Sequence, residues 1–245
     1  MKDQGLQFLY NDFMKAKAGL RVGLPRLVTY LAVPLLGWWL GGLAGAVYPD
    51  SVQSPALLAE PARIAFLVAA ILQAAIAWRL AGLLPSSEPI YPAQPGGIYW
   101  RNYALETSLM LAPYCDRRDF LVFADTPTLR WSGLLLFLLG TGLALWSGFL
   151  YSRAAVERNA GSQDPLLLVE GPFRRLRFPG YLGLLVLSLG IALVFRSWLG
   201  LGALAFILNY VVMRINAEEK LASLKFGIQW TAYRRHSWRL VPYIF

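Results

Sequence analysis

The sequence predicts an all-α, polytopic integral membrane protein with about five transmembrane helices, a C-terminal helical hairpin and an amphipathic C-terminal helix. Composition is the first observation behind this. The 245 residues are 57% hydrophobic and only 15% charged, whereas a typical soluble domain carries about 25% charged residues. Mean hydropathy is +0.47. The second observation is where charge is missing. Residues 27–49, 131–151, 178–195 and 197–213 contain no Asp, Glu, Lys or Arg, and residues 64–86 contain only Arg79. About 20 apolar residues suffice to cross a bilayer.

The first run begins near residue 27, lacks a small-residue cleavage site and exceeds the 7–15 residues or so of a signal-peptide core, so it reads as a span. Before it, Phe8, Leu9, Phe13 and Met14 alternate with Lys15, Lys17 and Arg21. That pattern suits an interfacial segment or a disordered tail. The single Cys115 excludes an intramolecular disulfide and reads as a small apolar residue. A formal net charge of +9 does not indicate nucleic acid, because the Lys and Arg residues flank apolar runs. Such placement matches the positive-inside rule and anionic headgroups.

Topology does not close on these runs alone. Arg153, Arg158, Arg174, Arg175 and Arg177 place the 152–180 linker in the cytoplasm, and Lys2, Lys15, Lys17, Arg21 and Arg26 place the N-terminus there too. Three crossings (27–49, 64–86, 131–151) cannot satisfy both. One placement is wrong, or a crossing hides within 87–130. The apolar patch Leu105–Tyr114, containing Glu106, is expected to be re-entrant or interfacial, after an irregular beginning rich in Pro and Gly. The chain divides into a membrane region, 1–151, holding three spans and this irregular 87–130 loop, and a region 152–245 containing a hairpin over 180–213.

The second region carries the polar motifs. The helix of the third span should stop near Pro165. Leu166, Leu167, Leu168 and Val169 are too few to span, and Glu170-Gly171-Pro172 breaks the chain. Pro179-Gly180 opens the next helix, whose unpaired N–H groups could receive an anion while nearby Arg residues anchor phosphates. Arg214 and Glu218 lie four apart on one helix face and can pair. Glu219 is expected to be solvated. An Arg closing an uncharged run marks a functional site by default. Residues 217–236 mix Leu221, Leu224, Phe226, Trp230 and Tyr233 with Lys220, Lys225, Arg234 and Arg235, as a surface helix or lid would.

Residues 171–242 resemble the isoprenylcysteine carboxyl methyltransferase and phospholipid N-methyltransferase superfamily of integral membrane methyltransferases. The resemblance rests on Gly171, Phe173, Arg177, Pro179, Tyr181, Arg214, Glu218, Glu219, Phe226, Gly227, Tyr233, Leu240 and Pro242, in order and spacing. It implies S-adenosylmethionine as cofactor, contacted by Pro165, Leu166, Leu167, Leu168, Phe173, Phe178, Pro179, Gly180, Tyr181 and Glu218. It also implies a substrate-facing Arg214 as the catalytic residue, without metal. The implied acceptor is a lipophilic, membrane-partitioned carboxylate, thiol or amine, and the implied cofactor site is cytoplasmic. Two departures stand out: Phe178 occupies the family's His position, and Trp230 replaces a more usual Tyr. Alternatives are a sterol-reductase-like NADPH enzyme and a non-catalytic protein with a degenerate pocket.

Overall fold

The computed structural model describes residues 32–33, 35–40, 43, 60–83, 109–159 and 167–241. Among these, helix α1 is Pro61–Leu83, α2 covers 109–118, α3 is Pro127–Asn159, α4 is Pro179–Val194, α5 is Trp198–Phe226 and α6 is Ile228–Arg235. Residues 32–33, 35–40 and 43 are also helical. No strand forms among the described residues. Proline opens α1, α3 and α4, where its missing N–H breaks no helical bond and its fixed φ suits the first turn. Ser197 caps α5, its hydroxyl accepting from the Gly200 N–H at 3.0 Å.

Two helices, Pro127–Tyr151 and Trp198–Phe226, are long and apolar enough to cross a membrane. Pro61–Ala77 and Pro179–Val194 are shorter apolar segments. Helices α3 and α4 pack most intimately, through Gly133 and Gly140 against Gly183 and Gly190. A Cβ on Gly140 would strike the Leu187 N–H and the Gly183 carbonyl, and one on Gly190 would strike the backbone of Phe137. Small residues at such a crossing bring backbones into van der Waals contact, the main attraction between helices in lipid. Phe66 and Ala70 of α1, Leu109 and Ala112 of α2, Leu134 and Phe137 of α3, and Leu187, Ile191 and Val194 of α4 complete this core.

One end of the bundle closes over a buried carboxylate. Asp116, fully buried at the end of α2, accepts from Arg63 Nε at 2.8 Å. It also accepts from Arg130 Nη1 and Nη2, each at 3.1 Å, and from Arg196 Nε at 2.9 Å. Arg130 reaches on to Asp125 at 2.8 Å, and Arg196 to Asp119 at 3.0 Å. Three guanidinium groups thus meet three carboxylates, and the cluster is neutral. The 119–126 loop clips the hairpin turn, with Phe123 N–H donating to Arg196 O at 2.7 Å and Trp198 N–H to Leu121 O at 2.9 Å. Asp119, Leu121 and Arg196 all hold positive φ here, a strain that such dense cross-links sustain.

This hub orients the helices. Arg63 opens α1 and Arg130 opens α3, so both helices start at the hub and run the same way. Val33 packs in the core, while Trp38 lies over Arg63 at 4.7 Å, so the first helical segment runs toward the hub.

Several expectations change. Within the 87–130 loop, 109–118 are helical, overlapping the apolar patch expected at 105–114, and α3 already begins at Pro127; 87–108 lie outside the described residues. Helix α3 runs to Asn159. The expected surface helix over 217–236 is instead a continuation of α5 to Phe226, a break at Gly227 (φ +51°) and the short α6. Glu219 is not solvated; it is 7% exposed.

Candidate functional site

The opposite end of the α4–α5 hairpin gathers the motif residues. Tyr181, in the first turn of α4, donates its hydroxyl to Glu218 Oε1 at 2.7 Å. Arg214 Nε meets the same oxygen at 2.9 Å, one helical turn back along α5. Glu218 is 8% exposed. A buried carboxylate without partners would lose its hydration for nothing in return; here a phenol and a guanidinium replace that water.

Glu219, next in sequence, points to a different side of α5 and holds a second cluster. Arg177 Nε approaches its Oε1 at 3.1 Å. Arg239 grips it with two bonds, Nε to Oε1 at 3.1 Å and Nη2 to Oε2 at 2.6 Å. Burial pushes the Arg177 guanidinium down, while the Glu219 carboxylate opposes that shift. Arg177 also donates to Ser237 O at 2.7 Å. Backbone bonds run alongside: Arg177 N–H to Trp238 O at 2.7 Å, Phe178 N–H to Arg239 O at 3.2 Å and Trp238 N–H to Arg175 O at 2.8 Å. The C-terminal segment is therefore a strap tying the entry of α4 to α5.

Tyr233 of α6 closes the same region, its hydroxyl donating to Phe173 O at 2.6 Å. Burial pushes that hydroxyl up to about 12, so it remains a donor at neutral pH. Phe178, 8% exposed, lies with Ile207, Val211, Ile215 and Leu240, against Tyr181 and Tyr210. Its ring centroid is 6.0 Å from that of Tyr181. A third cluster joins Ala222, Phe226 and Trp230 to Leu167 and Tyr233.

Phe178, Pro179, Gly180, Tyr181, Arg214 and Glu218 thus come together around the open end of the hairpin. Phe173 joins through Tyr233, and Leu167 through the third cluster. Leu168 is half-buried on the same short segment, while Pro165 and Leu166 lie outside the described residues. Arg239 and the pairing of Glu219 were missed, although Arg239 directly precedes the Leu240-Val241-Pro242 motif. His236 is exposed on the surface.

Taken together, this is an all-helical protein with membrane-length helices and a buried carboxylate–arginine–tyrosine site at one hairpin end. Residues 128–228 match the family model for phospholipid methyltransferases, a family of the integral membrane methyltransferase superfamily. The match takes in Arg214, Glu218, Glu219 and Phe226 and stops before Trp230 and the strap. No curated protein matches the chain significantly.

Two features suit a nucleoside-bearing sulfonium: within the cluster of Leu167, Phe226, Trp230 and Tyr233 the Trp230 indole N–H is buried with no hydrogen-bond partner, and the Glu218 carboxylate lies one turn from Ala222.

Proposed function

We propose that the protein is an S-adenosylmethionine-dependent methyltransferase acting on a lipophilic acceptor that partitions into the membrane. The observation that carries this reading is the junction of Tyr181, Arg214 and Glu218 at 2.7 and 2.9 Å, inside the matched region. A bound sulfonium supplies an electrophilic methyl carbon and a neutral thioether leaving group. What this chain must add is position, and holding two reactants in line can remove roughly 7–11 kcal/mol of a bimolecular barrier.

Each group has a role in that task. Glu218, paired with Arg214 at 2.9 Å, offers negative charge beside the cofactor's cationic end. Tyr181 fixes the carboxylate orientation. Arg214 lies at the membrane end of the site, where a guanidinium fork suits a carboxylate or other polar acceptor head. The strap covers the aqueous end. An acceptor held by Arg214 would present its lone pair toward the cofactor's methyl carbon, and a thiol or ammonium acceptor would first give up a proton.

The Arg-rich 170–178 segment places this end in the cytoplasm by the positive-inside rule, and the hub on the other side. Helices α1 and α3 then both run from the hub toward the cytoplasmic side. The region 152–245 supplies the cofactor site.

The test is transfer of labelled methyl from S-adenosylmethionine to membrane extract, run beside a binding titration. Arg214→Ala and Arg214→Lys should each lose at least about tenfold in transfer, ~1.4 kcal/mol of barrier, with cofactor affinity little changed. Absence of cofactor binding by calorimetry, with no thermal shift at saturation, sinks the reading; about 2.7 kcal/mol of stabilisation is expected at 100-fold excess over Kd.

A further inference from the structure

We infer that the Trp230 indole N–H donates a hydrogen bond to a ring nitrogen of the cofactor's purine. This rests on the methyltransferase reading above and assigns a residue that lies outside the matched segment. Trp230 is 3% exposed, and its Nε1 has no hydrogen-bond partner. A buried N–H left unsatisfied costs about 1–3 kcal/mol, so a donor in this state belongs with an acceptor that arrives from outside. Its neighbours describe that acceptor. Phe226, Leu167 and Tyr233 pack around the indole, giving planar and aliphatic surfaces that suit a flat heterocycle. The Tyr233 hydroxyl is already committed to Phe173 O at 2.6 Å, leaving the indole as the donor of this cluster.

The order of residues along α5 separates the two ligands. Arg214, Glu218, Ala222 and Phe226 follow one another at single-turn spacing, from the apolar part of the helix toward its polar end. The lipophilic acceptor enters at the Arg214 end. Trp230 packs at the other end, beyond Glu218, where the nucleoside of a water-soluble cofactor lies. A purine ring nitrogen accepts in the plane of the ring, so the indole would meet the purine at its edge while the neighbouring side chains cover its faces.

The experiment uses the full chain in detergent, titrated with S-adenosylmethionine, S-adenosylhomocysteine and 5′-methylthioadenosine. Trp230→Phe keeps the aromatic packing and removes the donor. Its affinity should fall about tenfold for all three, since the 5′-thioadenosyl group is what they share, and the smaller ring should cost some melting temperature without ligand. Unchanged affinity overturns the assignment. A second measurement needs no variant: among the 1-, 3- and 7-deaza forms of S-adenosylhomocysteine, one should bind the wild-type protein about tenfold more weakly. Equal binding of all three to the wild type overturns the proposal. Failure of the wild type to bind any adenosyl ligand is a different result, which removes the methyltransferase reading itself.

Discussion

Arginine–carboxylate contacts hold both ends of the α4–α5 hairpin, yet the two ends are built in opposite ways. At the hub a single carboxylate, Asp116, receives three arginines from three other segments, and the set closes on itself. At the site two adjacent carboxylates divide the work. Glu218 faces Tyr181 and Arg214, whereas Glu219 faces Arg177 and the strap. The hub satisfies its charges internally and resists opening. The site covers itself with a tail held by a few bonds. One end is suited to holding the bundle; the other is where we place the proposed ligands.

Breaking the hub should have the largest effect. Asp116→Ala leaves three buried guanidinium groups around an empty position, and removing one partner of a buried ion pair costs about 3–5 kcal/mol. Loss of monodisperse protein in detergent is expected; a variant with wild-type thermal unfolding would show that the hub is dispensable.

Phe178 comes next. Phe178→Ala should cost about 3 kcal/mol in thermal unfolding, since it empties the cluster of Ile207, Val211, Ile215 and Leu240. At the sequence level, the family's His at this position makes Phe178→His look benign. The apolar cluster reverses that expectation: a buried imidazole without partners should cost about 1–3 kcal/mol. Equal stability of Phe178→His and wild type would reveal a polar partner there.

The strap should respond more gently. Glu219→Gln weakens contacts to Arg177 and Arg239 and should lower stability by about 1–2 kcal/mol, with a smaller effect on cofactor affinity than Glu218→Ala. Equal losses of affinity in the two variants would merge the two clusters into one functional unit.

The smallest effect is an alkaline one. Tyr233 is raised to about 12 in the folded protein, from an ordinary value of about 10. Its contribution is fully present below pH ~10 and is lost as pH rises toward 12. Melting temperature should therefore fall over that window in the wild type and fall less in Tyr233→Phe.

What the sequence revealed follows from where each signal resides. Uncharged runs disclosed apolar helices, two of them long enough to cross a membrane, because bilayer length leaves a mark on consecutive residues. The contacts of the candidate site were legible because Tyr181, Arg214 and Glu218 lie within short motifs at helical spacing. The hub was not. Arg63, Asp116, Arg130 and Arg196 are solitary charges in distant segments, and only the packed glycines of α3 and α4 bring Arg130 and Arg196 to one carboxylate. Arg196 in particular reads locally as no more than a turn residue. Glu219 was misjudged for the same reason: its partner Arg239 lies twenty residues away, beyond the reach of periodicity.

Helix α5 is one unbroken rod of 29 residues, footed at the hub beside Arg196 and carrying Glu218 near its top. At 1.5 Å per residue, about 30 Å separates those two points. A rod of that length acts as a lever: a tilt of about 2° at the foot displaces Glu218 by about 1 Å. Misplacement on that scale can slow a positioned reaction by about a hundredfold. Under the proposed function, the accuracy of positioning at Glu218 would thus be set by how rigidly the ion cluster grips the opposite end of the helix.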